Sequence, residues 1–270
     1  MLPLYERLIL TDRRKIYTTQ LGAGLGLVEE TKVLLSIYEP GMTVVQLYDL
    51  ALSSGRFPMV SARRLRNIIA ECFAPRYLKT DVAVQLKALA ETTPSIVLNQ
   101  FFLIFTSLAN IVLLDFIIEV YWGRYASGRD TISLDDAKDF ISHAVNEGKT
   151  KTHWSDAMMK RVSSYLIGAC ADYGLVSPNR SSVRQIKSIR LHEHTLFFFS
   201  YWLHFNGLGD NRIVNHEIWK LFGLEAIDVR EELIRIAKQG WLIVQAAGDV
   251  TRISWKYENI EEVIDVITEG

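Results

Sequence analysis

The sequence predicts a mainly α-helical protein with two helical domains, an N-terminal helical bundle over residues 1–150 and a C-terminal helical module over residues 151–270. Apolar residues recur every three or four positions along much of the chain, which is the periodicity of amphipathic helices. Alternation typical of paired strands appears at residues 241–245 and 251–256. The chain has 270 residues, 49% of them hydrophobic, which is long enough for two folded cores; the charged stretch at 149–153 marks the predicted boundary.

Residues 41–73 predict a helix, a turn and a second helix. Thr43 is a suitable N-cap for the first helix, in which apolar side chains recur at helical spacing. Pro58 then interrupts the pattern, and Ser61 is a suitable N-cap for the second helix at residues 62–73. A basic helix braced by another helix across a turn is the outline of a helix-turn-helix element that binds DNA.

The predicted second helix has one apolar and one basic side. Winding the chain at about 100° per residue puts Leu65, Ile68, Ile69 and Cys72 on one side and Arg63, Arg66, Asn67 and Ala70 on the other, with Arg64 on the flank. Arginine and asparagine on an exposed helix can bond phosphates and base edges. The predicted DNA-contacting residues of this region are Arg56, Ser61, Arg63, Arg64, Arg66, Asn67, Arg76 and Lys79. The alternative is an ordinary solvated face, because the connection at 54–60 is longer than the turn of the tight motif.

Gly22, Gly24 and Gly26 form a G-x-G-x-G pattern before a predicted helix at residues 28–38. A dinucleotide-binding loop needs a buried strand before it, a third glycine at another spacing and an acidic residue after a second strand. The chain has none of these features here. The pattern therefore predicts a flexible connector.

The most apolar part of the chain, residues 96–120, is long enough to span a bilayer, which takes about 20 residues. Polar side chains interrupt it at Asn99, Gln100, Asn110, Asp115 and Glu119. Because an acidic residue near the centre of a span is costly in lipid, we expect a buried helical hairpin that breaks at Asn110. A membrane span is the alternative.

The expected location of the protein is the cytoplasm, with no membrane association. Residues 1–10 contain no cleavage site and do not form a signal-peptide pattern. Cys72 and Cys170 lie in apolar helical contexts, as buried free thiols of a reducing compartment do. A disulfide between the two cysteines is the alternative.

The middle of the chain predicts capped helices followed by a basic connection. Ser133 with Asp136 forms a capping pattern at the start of one helix, and Ser155 or Thr152 caps a longer helix. The connection at residues 179–190 is polar and basic. Its candidate contacts to a phosphate backbone are Arg180, Arg184 and Lys187. The alternative for this segment is a solvated loop.

Three predicted helices between residues 195 and 239, followed by the two predicted strands, form the outline of a winged-helix module with a β-hairpin. The last of these helices carries Asp228, Glu231 and Glu232 in its first turns. Negative charge there repels phosphates. We therefore expect this module to serve protein contacts or packing.

Neither charge nor motifs indicate an enzyme. The net charge of −1 and the isoelectric point of about 6.6 exclude a global positive field, so DNA binding would have to come from a local patch. His192 and His194 are closely spaced, but no cysteine or acidic cluster completes a metal site around them. No nucleophile elbow, Walker loop or kinase signature is present. We expect no catalytic residue, metal, cofactor or small-molecule substrate.

The order of these features resembles the BrxA family of bacterial BREX phage-defence systems. The resemblance covers most of the chain and is carried by residues 29–78, by the apolar pair at 96–121, and by HWS at 153–155 opening a helix that ends in ADYGL at 171–175. It implies a small, helical, non-enzymatic component of an antiviral defence system, with two helical domains and the capacity to bind DNA. The implied partners are double-stranded DNA and other BREX proteins.

Sequence and resemblance together predict a cytoplasmic accessory protein that binds double-stranded DNA and tolerates many sequences. The alternative is a protein-interaction adaptor that docks other defence-system components without significant affinity for DNA. The two hypotheses differ in their salt response, because phosphate contacts release counterions and weaken as salt rises.

Overall fold

A computed structural model describes residues 16–23, 25–179, 181–248 and 250–269 of the chain, so the signal-peptide question at residues 1–10 lies outside it. The helices of the first half are α1 (Val28–Ile37), α2 (Val44–Ser53), α3 (Ala62–Asn67), α4 (Ala83–Thr92), α5 (Ser95–Ala109), α6 (Ile111–Phe116) and α7 (Trp122–Ala126). Those of the second half are α8 (Leu134–Asn146), α9 (Asp156–Asp172), α10 (Glu193–Phe205), α11 (Asp210–Val214), α12 (Ala226–Ala237) and α13 (Ile260–Glu269). Short 3-10 helices occur at Gln20–Ala23 and Glu217–Phe222.

Two antiparallel strand pairs complete the fold. They are β1 (Thr131–Ser133) with β2 (Val183–Gln185), and β3 (Leu242–Ala247) with β4 (Val250–Trp255). The predicted mainly α-helical fold class is confirmed. The β1–β2 pair is not predicted by the sequence, because three residues are too few for alternation to be recognised.

α3 does not end at residue 73 but continues as a π-helix, Ile68–Leu78. Pro75 lies inside this segment and supplies no backbone N–H. Bonds of π spacing hold the last turns, as in the Lys79 N–H donating to the Ala74 carbonyl oxygen at 2.9 Å. The basic residues of α3 and the buried residues of the π-helix therefore belong to one continuous rod.

The predicted caps are present at four helices, of which α3 is described with the candidate interface. Thr43 and Gln46 form a capping box at α2, and Ser133 and Asp136 form another at α8. The hydroxyl of Ser155 accepts a backbone N–H at the start of α9. Each cap satisfies N–H groups that the first turn of a helix leaves unpaired.

The apolar stretch forms two helices, and the predicted break at Asn110 is confirmed. The side-chain amide of Asn110 donates to the Thr106 carbonyl oxygen at 2.9 Å, and the chain bends by 113° between the two helical segments. Phe101, Phe105 and Phe116 along this pair are completely buried. No single helix in the described ranges is long and apolar enough to cross a membrane, although the two segments together meet the criteria of length and composition.

The predicted boundary near residue 150 is crossed by several contacts. β1 pairs with β2, α8 packs against α9, and α13 packs against α4. Buried apolar residues from both sides belong to one continuous core. The division into two domains stays a prediction.

A network of side chains, of which Arg76 and Tyr173 are buried, holds the Gly26 peptide group. The Gly26 N–H donates to Asp172 Oδ2 at 2.9 Å, and the Gly26 carbonyl oxygen accepts from the Tyr173 hydroxyl at 3.2 Å. Arg76 donates to the same carbonyl oxygen at 3.3 Å and to that of Leu25 at 2.7 Å. The segment before α1 is thus tied both to the π-helix and to α9.

This network corrects the prediction of a flexible connector. A Cβ atom on Gly26 would lie 2.5 Å from the Cβ of Asp172, and one on Gly22 would lie 2.2 Å from the Tyr165 ring. Both glycines are therefore required by close packing against α9 rather than by flexibility. Gly24 lies outside the described residues.

The C-terminal elements follow the predicted order of helices and hairpin, with α11 as an additional short helix. α11 also covers the outer edge of β4: Asp210 and Asn211 accept the backbone N–H groups of Ile253 and Thr251 at 2.9 and 2.8 Å. The Tyr201 hydroxyl of α10 joins the two ends of the hairpin region. The classification as a winged helix stays a prediction.

Candidate nucleic-acid interface

α3 is positioned by its cap and by its buried side. The Ser61 hydroxyl accepts the backbone N–H of Arg64 at 3.3 Å, which ends the connection and starts the helix. Leu65, Ile68 and Ile69 are no more than 2% exposed. The predicted apolar side is confirmed, and its burial directs the opposite side of the helix to solvent.

Arg63, Arg66 and Asn67 are all exposed on that opposite side. Because an α-helix rises about 1.5 Å per residue, the three Cα atoms lie within about 6 Å along the axis. In the described part of the chain no ion pair joins Arg63 or Arg66 to a carboxylate, so no described carboxylate neutralises their guanidinium groups. The arrangement can present several planar N–H donors to one strip of phosphates.

Arg66 is held against α2. Its guanidinium carbon lies 5.0 Å from the centre of the Tyr48 ring, a distance typical of cation–π contacts. Tyr48 is half-buried between the helices. The sequence presents Tyr48 only as one apolar position of α2, because the packing of two helices is not encoded in the spacing of either one.

The other predicted residues near α3 occupy different surroundings. Arg64 and Lys79 are exposed, at the flank of α3 and after the π-helix respectively. Arg56 is also exposed, and its Nη1 donates to the Ser36 hydroxyl of α1 at 2.8 Å. The connection before α3 is therefore attached to α1 through an arginine predicted to contact DNA.

Arg76 is a correction to the predicted interface. Its side chain is 1% exposed, because it points into the core and donates to the carbonyl oxygens of Leu25 and Gly26. A ligand on the surface cannot reach it. The sequence shows a basic residue near a basic helix, but the turn of the π-helix directs this one inward.

The second predicted segment lies at a different place. Arg180 is outside the described residues. Arg184 is half-buried in β2 and acts electrostatically on Cys170 and Asp172 at the end of α9, while Lys187 is exposed. Burial raises the pKa of Asp172, whereas the Gly26 N–H and the charges of Arg184 and Arg76 act in the opposite direction. Of the two described residues of this segment, Arg184 is half-buried and Lys187 is exposed.

α12 has an exposed side of a different character. Ile227, Glu231 and Ile234 recur at helical spacing, and the two isoleucines are 57% and 41% exposed. Asp228 accepts the backbone N–H of Glu225 at the start of the helix, so its carboxylate caps α12. Glu231 on this side and Asp228 at its start are acidic and repel phosphates, although Lys238 is exposed just after the helix.

Other surfaces favour neither a metal nor DNA. Within the described ranges no group of three or more His, Cys, Asp or Glu side chains could hold a metal ion. His192 Nδ1 accepts the backbone N–H of His194 at 3.2 Å and so caps α10. An open cleft of about 540 Å³ is lined by carboxylates, including Glu119, Asp139 and Glu147, which repel phosphates.

Comparisons with known proteins identify one family and one fold. The family model described as BrxA matches residues 15–200. No curated protein matches the chain. A solved structure, the crystal structure of an uncharacterized protein from Magnetospirillum magneticum, is similar with a TM-score of 0.57 and 14% identity, over 74% of this chain and 97% of that one. At this identity the likeness shows the fold alone.

Proposed function

The chain belongs to the BrxA family and is therefore a component of a BREX-type phage-defence system, and from this premise we propose that it binds double-stranded DNA as a non-enzymatic accessory protein. In this proposal α3 lies against the duplex. Arg63 and Arg66 bond phosphate groups, and Asn67 lies at the base edges. The buried side of α3 keeps this orientation.

One observation carries the proposal: Arg63, Arg66 and Asn67 share the solvent side of a helix whose other side is anchored in the core. A cation on a solvated helix face can be paired with a carboxylate at helical spacing, as Lys138 is with Asp135 on α8. In the described residues, Arg63 and Arg66 have no such partner. Their charge is available to an external anion.

The proposed binding is local and sensitive to salt. The net charge of −1 provides no long-range attraction, so affinity rests on the few cations of this surface. Each phosphate contact contributes about 0.9 to the slope of log affinity against log salt. Contacts made mainly with phosphates also favour tolerance of sequence. We propose the cytoplasm as the location because both described cysteines are free and buried, as in reduced proteins.

A second candidate function, docking of another defence-system protein, is favoured by the exposed side of α12. Ile227 and Ile234 are exposed two turns apart on this side, with Glu231 between them. Two exposed apolar side chains beside a carboxylate suit a protein partner better than a nucleic acid. This function is compatible with DNA binding at α3, because it uses residues of a different helix.

The test is a fluorescence-anisotropy titration of the full chain against duplex DNA at two salt concentrations. The Arg63→Ala/Arg66→Ala variant is expected to lose about tenfold in affinity, and its salt slope is expected to fall by about one unit per phosphate contact removed. The loss should appear on every duplex if the arginines bond phosphates.

The matched control is Lys238→Ala/Arg252→Ala, which removes the same charge from exposed positions of the C-terminal elements. This control is expected to bind DNA as the wild-type protein does. Equal losses in both variants would show a general charge effect. Unchanged affinity in a folded Arg63→Ala/Arg66→Ala variant would remove α3 as the site and leave the docking function.

A further inference from the structure

The Tyr48–Arg66 contact joins a fixed residue to a solvent-exposed one. Tyr48 belongs to α2, which is anchored by its capping box and by Leu47 and Ala51, both no more than 1% exposed. Arg66 projects from α3 and is exposed, yet its guanidinium lies over the Tyr48 ring at 5.0 Å. One end of the contact is thus immobilised by the core.

A ring restrains a guanidinium without consuming its hydrogen bonds. The aromatic ring attracts the flat face of the guanidinium, whereas the five N–H donors lie in the guanidinium plane and point past the ring. A free arginine loses rotamer freedom when it binds a phosphate. An arginine that is already stacked on a ring has fewer rotamers to lose when it binds a phosphate. Its entropic cost of binding is therefore smaller, and its hydrogen bonds contribute more to the affinity.

Arg63 provides the internal contrast. It is exposed on the same helix, but among the described residues the cation–π contacts involve Arg66, Lys149 and Lys256. Two arginines one turn apart therefore differ in restraint. Resting on the DNA-binding function proposed above, we propose that Tyr48 is a positioning residue that preorganises Arg66 for DNA, while Arg63 binds unassisted.

The test is a double-mutant cycle in the full chain, read by anisotropy on one duplex. Tyr48→Leu is expected to weaken binding about two- to fivefold, the range of an exposed cation–π contact. Tyr48→Phe keeps the ring and is expected to bind as the wild type does. In an Arg66→Ala background Tyr48→Leu should cause no further loss, whereas in an Arg63→Ala background it should cause its full loss.

The outcomes separate this inference from the proposed function. If Arg66→Ala and Arg63→Ala both bind like the wild type, the interface and the inference fall together. If Arg66→Ala weakens binding but Tyr48→Leu does not, only the inference is overturned. An equal loss from Tyr48→Leu with and without Arg66 also overturns it, because the tyrosine then acts through the fold.

A second measurement decides the matter if Tyr48→Leu does not fold. The Hε resonance of Arg66 in the otherwise wild-type protein is expected to show an upfield ring-current shift that Arg63 lacks. The Tyr48→Phe variant should retain the shift. Indistinguishable Arg63 and Arg66 resonances in the folded protein would overturn the inference.

Discussion

α3 and α12 have similar local architecture and different surfaces. Each follows another helix, starts at a capping residue and buries one side in the core. The exposed side of α3 holds Arg63 and Arg66, whereas that of α12 holds Ile227, Glu231 and Ile234. Because their outlines are alike, the difference in expected partners comes from the exposed residues and not from the arrangement of helices.

A second contrast lies within one rod. Arg63 and Arg76 are the same residue type on α3 and its π-helical continuation, yet one is exposed and the other is 1% exposed. The exposed arginine is available to a ligand. The buried one satisfies two carbonyl oxygens of the segment before α1. Burial decides whether an arginine binds a partner or holds the fold.

The largest expected effect comes from Arg76→Ala. Removing a buried cation that makes two hydrogen bonds should lower the free energy of unfolding by about 3–5 kcal/mol, because the carbonyl oxygens of Leu25 and Gly26 lose their donor and a cavity is left. Denaturant unfolding measures this. Arg63→Ala is the control from the same rod and should change stability by less than about 0.5 kcal/mol. Similar losses in both variants would contradict the contrast.

The next effect is a dependence of the free energy of unfolding on pH, which arises from His216 in the C-terminal elements. Burial, and secondarily the charge of Arg212, lowers the pKa of His216 to about 4. In the unfolded chain this histidine binds a proton near pH 6.5. The contribution of His216 to the free energy of unfolding is therefore fully present above about pH 6.5, and roughly 3 kcal/mol of it is lost as the pH falls toward about 4. Unfolding measured across this range tests the sign.

His216→Asn should remove this part of the pH dependence. An asparagine oxygen can replace Nδ1 as acceptor of the Ile218 N–H, which caps the 3-10 helix. His143→Asn is the control, because the His143 side chain is 79% exposed. The same acid sensitivity in wild type and His216→Asn would mean that other groups cause it.

A smaller effect follows from reversing charge on the two helices in turn. Arg63→Glu should lower affinity for duplex DNA by about tenfold, since it both removes a phosphate contact and adds repulsion. Glu231→Arg on α12 should change that affinity by less than about threefold, because in this proposal the duplex contacts α3 and not α12. Anisotropy at low salt measures both. A large gain from Glu231→Arg would place α12 at the DNA.

The smallest effect on the fold is expected from Ile227→Ser/Ile234→Ser. Both side chains are partly in solvent, so the free energy of unfolding should fall by only about 1–2 kcal/mol, and DNA affinity should be unchanged. Binding of the partner proteins of the same defence system should weaken if α12 is a docking surface. Titration with each purified component measures this, and full retention of binding would exclude α12.

Local features of the structure were predictable where a short pattern suffices. The two sides of α3, the caps at Thr43 and Ser133, and the break at Asn110 all follow from spacing and residue type. These features depend on a few neighbouring residues, and neighbours in sequence are neighbours in a helix. The acidic start of α12 is local in the same sense.

Features that join distant parts of the chain were not predictable. Arg76 meets residues 50 positions earlier, and the register of β1 with β2 joins residues about 50 apart. The glycines before α1 predict a flexible connector when only their neighbours are considered. The structure needs glycine at Gly22 and Gly26 because α9, more than 140 residues away, packs against them. The spacing of apolar and polar residues along the chain does not indicate contacts between such distant segments.

Spacing and composition are enough to predict the helical class, the two sides of α3 and the acidic start of α12, because each depends on residues that are close together in the chain. Which arginines remain at the surface depends instead on how the helices pack against one another. This packing turned Arg76 inward to the segment before α1, brought Arg184 to the end of α9, and placed Tyr48 beneath Arg66. The physical reason is that the burial of a side chain depends on which elements pack together. How the elements pack depends on all the residues of the core together, whereas the charge of a side chain depends only on its residue type.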